Sequence, residues 1–471
     1  ETSRNKVPAA VTRITRRMIQ ESGARSLFEL MEIYVPNFQW LRHHLETSHF
    51  GLRGIINDRD DKYLLRVNGR VLNERSQIGA LSERDLTMLG DIDYIEVTRG
   101  PGSAVHGPGA VAMVVDIYTL NANTFNGTEV KTTLGAVEEF QAAEMLHGKR
   151  FENGLGMFLY GGIANYPGAP QSESPQVIGR TFETIDGQYQ VDAGQPVPYD
   201  IGRDGKSYRD LPKLKLHAQL DYEDLEIWTR YTRGGEQLDW YTQQVAAPPI
   251  GPEMDPVPQL DDYQRNEAGY QQFSFNIHHE QVITSELEHE LLLGYTMTDY
   301  ERQLYQIAVP GFAPEAQLAV IAAHREDEYL GRSIFRWTPS DKHETAFGFE
   351  YAHNEFGYPS PGYPAEGATS PRFPEGMPRW GTDTYSGLAE HQWRILQRWT
   401  LFSSLRYDKH PYTEGLWSPR CALVFSPTDY DTIKLIYNHS VRRNFDEELR
   451  RDFENSAKPG DSESIDGLEL R

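Results

Sequence analysis

The chain has 471 residues, 46 Lys and Arg against 69 Asp and Glu, and a formal net charge of −23. That balance excludes a protein gripping nucleic acid through its phosphates. A mean hydropathy of −0.60, with no run near the ~18 apolar residues of a transmembrane helix, excludes a helical membrane protein but not a membrane barrel, whose strands alternate.

The length suffices for two or three domains with cores. Aromatics at 11%, with 40 Gly and 28 Pro, point to β structure with many loops. Cys421 stands alone, so no internal disulfide forms. Glu1-Thr2-Ser3-Arg4 is polar, so the chain is expected either to be cytosolic or to have lost an export signal.

Roughly the first 120 residues mix helix and strand signals. Val11 to Ile14 and Gly51 to Ile56 read as short strands. Ser26-Leu27-Phe28-Glu29 is a capping box opening a helix that Pro36 limits. Tyr63 to Val67 is a strand running into a tight turn at Asn68-Gly69. Asp91 to Thr98 and Ala110 to Tyr118 complete a small α+β unit.

From about Thr128 the period becomes two. In Lys213 to Tyr222 every even position is apolar or aromatic and every odd one polar. Strands are expected near 128–137, 139–149, 154–164, 212–222, 224–233, 269–281, 286–298, 324–337, 344–354, 384–394, 399–408, 419–427, 432–440 and 463–471. A sandwich would alternate too, so period alone does not decide. The links do: tight ones such as 150–153 and 282–285 alternate with long ones such as 165–211, 234–268 and 299–323, the first hairpin apart. Long structureless loops are uncommon in compact soluble domains. Sorted onto one end, opposite tight turns, they are the pattern of an outer-membrane barrel.

The run Ile95-Glu96-Val97-Thr98-Arg99-Gly100-Pro101-Gly102-Ser103-Ala104-Val105-His106-Gly107-Pro108-Gly109-Ala110 closely resembles the plug motif of TonB-dependent outer-membrane receptors, with His106 where Tyr is usual. Pro8 to Thr15, Leu52-Arg53-Gly54-Ile55 and Val67-Asn68-Gly69 resemble earlier plug elements, and Gly348-Phe349-Glu350-Tyr351 and Leu405-Arg406-Tyr407-Asp408 resemble barrel-strand motifs. The resemblance implies a transmembrane antiparallel β-barrel with an N-terminal α+β plug domain inside its lumen. The expected division is plug at 1–122 and barrel at 123–471. About fourteen of the family's 22 strands are readable, so the barrel is expected to be truncated at its C-terminus. No TonB box is visible.

Gly100, Pro101, Gly102, Ser103 and Gly107 fit neither a dinucleotide nor a Walker spacing, and read as a tight plug crossing. By resemblance Arg53 and Arg99 are plug arginines that pair with barrel glutamates, with Glu350 and Glu390 as candidates. His43, His44 and His49 follow Trp40, but their spacing is no recognised metal-ligand set, so no bound metal is expected. The resemblance makes this stretch and Asn73 to Leu81 apical plug loops, with Trp40, Arg42, His43, His44, Arg75 and Gln77 as ligand contacts. Trp240 and Tyr241, in a long loop, either stack on ligand or belong to the membrane girdle. The pairs Asp60-Asp61 and Asp261-Asp262 fall in loops, with nothing placing two carboxylates across a cleft. By resemblance, the lack of His from Val441 to Pro459 argues against haem.

The implied function is a non-enzymatic receptor of the bacterial outer membrane, embedded in its lipid and carrying no cofactor. It would import a ferric siderophore, driven by TonB and its inner-membrane energising complex. Cobalamin or an oligosaccharide is the alternative cargo. A soluble β-rich carbohydrate-binding protein or hydrolase is the alternative of another class.

Overall fold

The computed structural model describes residues 9–42, 48–56, 59–76, 78–135, 140–167, 177–185, 188–207, 211–242, 262–305, 319–357, 379–428, 431–460 and 462–470. Its N-terminal part contains β1 (Ala10–Thr15), α1 (Arg16–Ser22), α2 (Leu27–Tyr34), β2 (Phe38–Arg42), β3 (Ser48–Leu52), β4 (Tyr63–Val67), β5 (Arg70–Val71), β6 (Ile92–Arg99), α3 (Ser103–His106) and β7 (Met113–Thr119). Five of the strands form a sheet in the order β1-β6-β7-β4-β5, and β2-β3 is a separate hairpin.

Local chemistry accounts for these elements. Ser26 Oγ accepts from Glu29 N, and Glu29 accepts from Arg25 N at 2.7 Å, so the start of α2 is capped from both sides. Asn68 and Gly69 hold φ of 46° and 79°, the left-handed pair that a two-residue hairpin turn between β4 and β5 requires. Leu30, Met31, Leu65, Val67, Ile95, Val97, Val115 and Ile117 close one apolar core between sheet and helices. The strand expected from Gly51 to Ile56 is shorter: it ends at Leu52, where Arg53 and Gly54 turn the chain at φ of 54° and 81°.

The remainder is β8 (Gly127–Leu134), β9 (Gln141–Arg150), β10 (Gly156–Asn165), β11 (Val177–Ile185), β12 (Gln188–Ser207), β13 (Lys213–Tyr222), β14 (Leu225–Thr242), β15 (Asp262–Thr284), β16 (Leu287–Tyr305), β17 (Ala319–Ser340), β18 (His343–Phe356), β19 (Trp380–Leu396), β20 (Trp399–Lys409), β21 (Leu416–Phe425), β22 (Ile433–Arg443), α4 (Asp446–Ser456) and β23 (Ser462–Leu470). The main path of this antiparallel sheet runs β8-β9-β10-β13 and then in sequence to β23. Its fourteen strands are the fourteen expected from the alternation. Among the described residues, β8 and β23 each have one strand neighbour. No described helix is long and apolar enough to cross a membrane.

The period of two sorts the two faces. Lys213, Lys215, His217 and Gln219 of β13 are buried, while Leu216 and Leu220 are 44% and 43% exposed. The polar face is the covered one because the N-terminal unit sits against it. Contacts run from Glu144 on β9, through Thr296 on β16, to Glu469 on β23, so the sheet wraps around that unit. Long loops gather at one end of the wall and tight turns such as 223–224, 285–286 and 341–342 at the other.

Two further expectations are corrected. The link after β10 is not structureless but carries β11 and β12, and β12 pairs with the outer half of β14. Trp240 and Tyr241 lie not in a loop but on β14, opposite Gln264 and Tyr263. The link after β22 carries α4, whose first turn holds Asp446, Glu447 and Glu448, favourable at the positive helix end.

Candidate functional site

The lumen is asymmetric. On one side the plug segment Ser82 to Asp91 is fastened to β13 and β14. Lys215 Nζ lies 3.0 Å from Glu83 and 2.8 Å from Asp91, and Arg230 lies 2.7 Å from each. All four side chains are at most 2% exposed. Beside them Asp85 takes Lys213 at 3.0 Å, the Tyr270 hydroxyl at 2.7 Å and Gly235 N at 2.7 Å. Burial alone would push the carboxyls of Glu83, Asp85 and Asp91 up. The facing cations outweigh it and hold all three below the ordinary carboxylate range. Glu83 adopts φ of 70°, a left-handed backbone unusual for a non-glycine residue and held here by its buried ion pairs.

On the other side a cavity of about 990 Å³ lies between the plug sheet and the wall β16–β23, with α3 bridging it to β20 and β22. Arg66, Arg99 and His106 line it from the plug, and Glu350, Glu390 and Arg420 from the wall. His106 Nδ1 meets Arg66 at 2.5 Å. Burial, and then the charge of Arg66, push the His106 imidazole well below its ordinary value, so it is neutral. Gly107, at φ 93°, lets the Arg406 guanidinium approach within 3.3 Å of where a Cβ would stand.

At the long-loop end the plug apex meets the wall and the α4 loop. Arg75 N donates to Glu326 at 2.6 Å, and Arg75 O accepts from Asp446 N at 2.9 Å. Burial, then Arg443, lower the Arg75 guanidinium from its ordinary value. His324 meets Glu74 at 3.0 Å, Arg59 meets Glu448 at 2.6 Å, and Arg442 pairs with Asp61. Ser103 donates its N–H to Ser440 at 3.1 Å and its hydroxyl to Val441 O at 3.2 Å, tying α3 to β22.

The expected site residues scatter over this frame. Arg75 is at the apex. Trp40 is 42% exposed on β2 with Phe28 edge-on at 4.9 Å, so it sits in a hairpin rather than a loop. Arg42 ends β2, while His43, His44 and Gln77 lie outside the described residues. His49 serves the plug core: its Nδ1 lies 2.9 Å from buried Asp60, which also pairs with Arg84. The ion pairs found differ from those expected. Arg53 meets Glu469 at 3.3 Å, and Glu350 holds Arg406 at 2.7 Å. Arg99, Glu350 and Glu390 share the cavity. Gly100, Pro101, Gly102, Ser103 and Gly107 form the crossing between β6 and α3 and the turn after it. Glu83, Asp85, Asp91, Lys213, Lys215 and Arg230 were missed. The signal available was two lysines on the inward positions of the clearest alternating strand.

Among the described residues, His278, Glu280 and Glu290 bring donor atoms within 4.8 Å of one another near the tight-turn end. Glu290 is already held by Arg332 at 2.9 Å.

Known proteins share this fold. The TonB-dependent Receptor Plug Domain family matches residues 3–114, and the TonB dependent receptor-like, beta-barrel family matches residues 207–459. The chain belongs to the TonB-dependent receptors. Members of this family are transporters and receptors, not enzymes. The Vitamin B12 transporter BtuB of Vibrio vulnificus is 30% identical over 238 residues, which cover 46% of this receptor and 37% of that protein. The FrpB iron transporter of Neisseria meningitidis superposes with a TM-score of 0.63 at 14% identity, over 98% of this receptor and 69% of that chain. A ferric enterobactin receptor, PfeA of Pseudomonas aeruginosa, superposes with a TM-score of 0.61 at 16% identity, over 94% and 63%. The siderophore receptor PirA of Acinetobacter baumannii gives 0.60 at 16%, over 92% and 61%. The receptor therefore spans a little over a third of that curated relative and about two thirds of these solved chains.

Proposed function

We propose that the whole protein is a ligand-gated importer of the Gram-negative outer membrane that takes up a ferric siderophore and is energised by TonB and its inner-membrane complex. In this reading residues 1–122 are the plug and 123–471 belong to the barrel. The long-loop end faces outward and the tight-turn end the periplasm. What supports it is the asymmetric lumen: a plug anchored by a buried charge cluster on one wall, with a cavity beneath its fewer contacts on the other.

Charge pairs give registry and are strong only while dry. A ligand that meets the expected contacts, Trp40, Arg42, His43, His44, Arg75, Gln77, Trp240 and Tyr241, would bring water and new partners to Arg75, Glu326 and Asp446. Arg53, Arg99, Glu350 and Glu390 then act as the releasable contacts. Pulling on the N-terminal segment shifts the cavity side while Ser82 to Asp91 stays docked. No covalent chemistry is needed.

Cobalamin is the second reading, favoured by the likeness to the Vibrio vulnificus transporter. An oligosaccharide importer follows from the same architecture but has no comparable support. The test is a tryptophan-fluorescence titration of the full protein in detergent with a panel of ferric siderophores, cyanocobalamin and oligosaccharides. Saturable quenching by a ferric siderophore is expected. Saturation by cyanocobalamin alone moves the assignment to the second reading, and tight glycan binding with neither sinks both.

A further inference from the structure

The last residue of α3 is a histidine with only one ring nitrogen engaged. His106 Nδ1 faces Arg66 Nη1 at 2.5 Å. A guanidinium only donates, so Nδ1 accepts, and the neutral ring carries its proton on Nε2. Among the described residues Nε2 has no hydrogen-bond partner, and the half-buried ring lines the cavity of about 990 Å³. An N–H donor therefore stands open in the lumen.

The wall surrounds this donor with cations. Arg332 of β17, Arg406 of β20 and Arg420 of β21 line the same cavity, and with Arg66 they are the charges that act most strongly on the imidazole. The first two hold their carboxylates on one side of the guanidinium only. Arg332 donates through Nη2 to Glu290 at 2.9 Å, and Arg406 through Nε to Asp408 at 2.9 Å and through Nη2 to Glu350 at 2.7 Å. Among the described residues Arg332 Nη1 and Arg406 Nη1 have no hydrogen-bond partner, and neither atom is sealed from solvent.

The open set is thus one imidazole and two guanidinium N–H groups, all donors. It suits an anionic oxygen, and inside a confined lumen each bond to such an oxygen is charge-assisted. An uncharged ligand would gain no such field. The cavity is at the large end of small-molecule sites, so it admits a whole chelate and not only a lone ion. His106 stands where the plug motif usually has Tyr, so this imidazole belongs to the chain and not to the motif.

Resting on the proposed uptake of a ferric siderophore, we infer that His106, Arg332 and Arg406 form an anion-binding subsite inside the lumen, which takes a carboxylate or phenolate oxygen of the cargo and restricts that cargo to anionic chelates.

The test titrates the full protein in detergent by calorimetry, with succinate as the carboxylate probe and inorganic phosphate as its competitor. Wild type is expected to bind succinate saturably and more tightly than phosphate. His106→Phe should weaken succinate about tenfold, the loss of one charge-assisted hydrogen bond. His106→Gln, whose amide can both accept from Arg66 and donate, should restore most of that loss. Hydrogen exchange across residues 82–91 should be alike in all three, and faster exchange in His106→Phe would make its effect structural and overturn the inference. Equal succinate affinity in wild type and His106→Phe also overturns it, as does His106→Gln binding as weakly as His106→Phe. Phosphate binding tighter than succinate marks a site for an inorganic anion and overturns the assignment to cargo. Succinate binding as expected, with no ferric siderophore quenching the tryptophan fluorescence, keeps the subsite and fails the siderophore reading alone.

Discussion

Lys215 Nζ stands 2.8 Å from Asp91 Oδ1, a barrel-wall cation inside a plug carboxylate's hydrogen-bonding distance, with both side chains at most 1% exposed. With Arg230 and Glu83 it makes a cluster of two cations and two carboxylates shared equally between wall and plug. Such a group gives little net stability over an apolar replacement of all four, but removing one member strands a buried charge.

Lys215→Met is therefore expected to weaken plug docking by about 3–5 kcal/mol. Hydrogen exchange across residues 82–91 should rise sharply. Arg17→Ala, which breaks an exposed helical pair with Glu21, should change stability by under ~0.5 kcal/mol. Similar exchange in the two variants would refute the anchor.

The acid response should have a separate source. The carboxyls of Glu83, Asp85 and Asp91 are depressed, so their contribution is complete above the ordinary carboxylate range and is lost only as pH falls below it. His106 acts earlier. It is neutral when folded and titrates near 6.5 when unfolded, so the unfolded chain binds the extra proton below that pH. The share of stability that His106 carries falls as pH drops from 6.5, by up to about 1.4 kcal/mol per unit. In urea unfolding between pH 7.5 and 5.5, His106→Phe should remove about half a proton from the average wild-type slope, approaching one at the acid end. Parallel profiles would show that His106 is not the group.

Much of this fold is legible in the alternation. Leu216 and His217 fall on opposite faces because a strand's period is two, and the same rule locates all fourteen strands of the main path. The pair β11 and β12 is hidden because Gly194, Pro196, Pro198 and Gly202 break the pattern, and proline supplies no ladder donor. The site is less legible. Glu83 and Lys215 are 132 positions apart, and no periodicity encodes which lumenal cation meets which plug carboxylate. Arg53 illustrates the limit: its position after a strand is readable, but its partner Glu469 is set by how the wall closes around the turn.

The α4 loop should respond to Arg442. This side chain pairs with Asp61 of the plug and with Glu463 at 2.9 Å, and donates to Asn444 at 3.0 Å. Arg442→Met leaves Asp61, 9% exposed, without that partner and is expected to cost about 1.5–3 kcal/mol. Exchange across 444–460 should quicken while that across 82–91 does not. Simultaneous quickening of both would mean the two attachments are not independent.

Leu216 and His217 separate insertion from plug seating. Leu216 is 44% exposed on the outward face, so Leu216→Asp puts a charge against the bilayer, a cost of up to ~2–4 kcal/mol at mid-depth that is smaller for acids than for Lys or Arg. His217 is 3% exposed and its Nε2 lies 3.3 Å from Thr119 Oγ1. It neighbours Asp91, so His217→Asp adds a third carboxylate to a balanced cluster rather than to lipid. The first variant should lose the heat-modifiable band of an inserted barrel on unboiled gels. The second should keep that band but expose residues 82–91 to protease. Equal insertion defects in the two would reverse the assigned faces, and intact protease resistance in His217→Asp would show that the cluster tolerates an unbalanced charge.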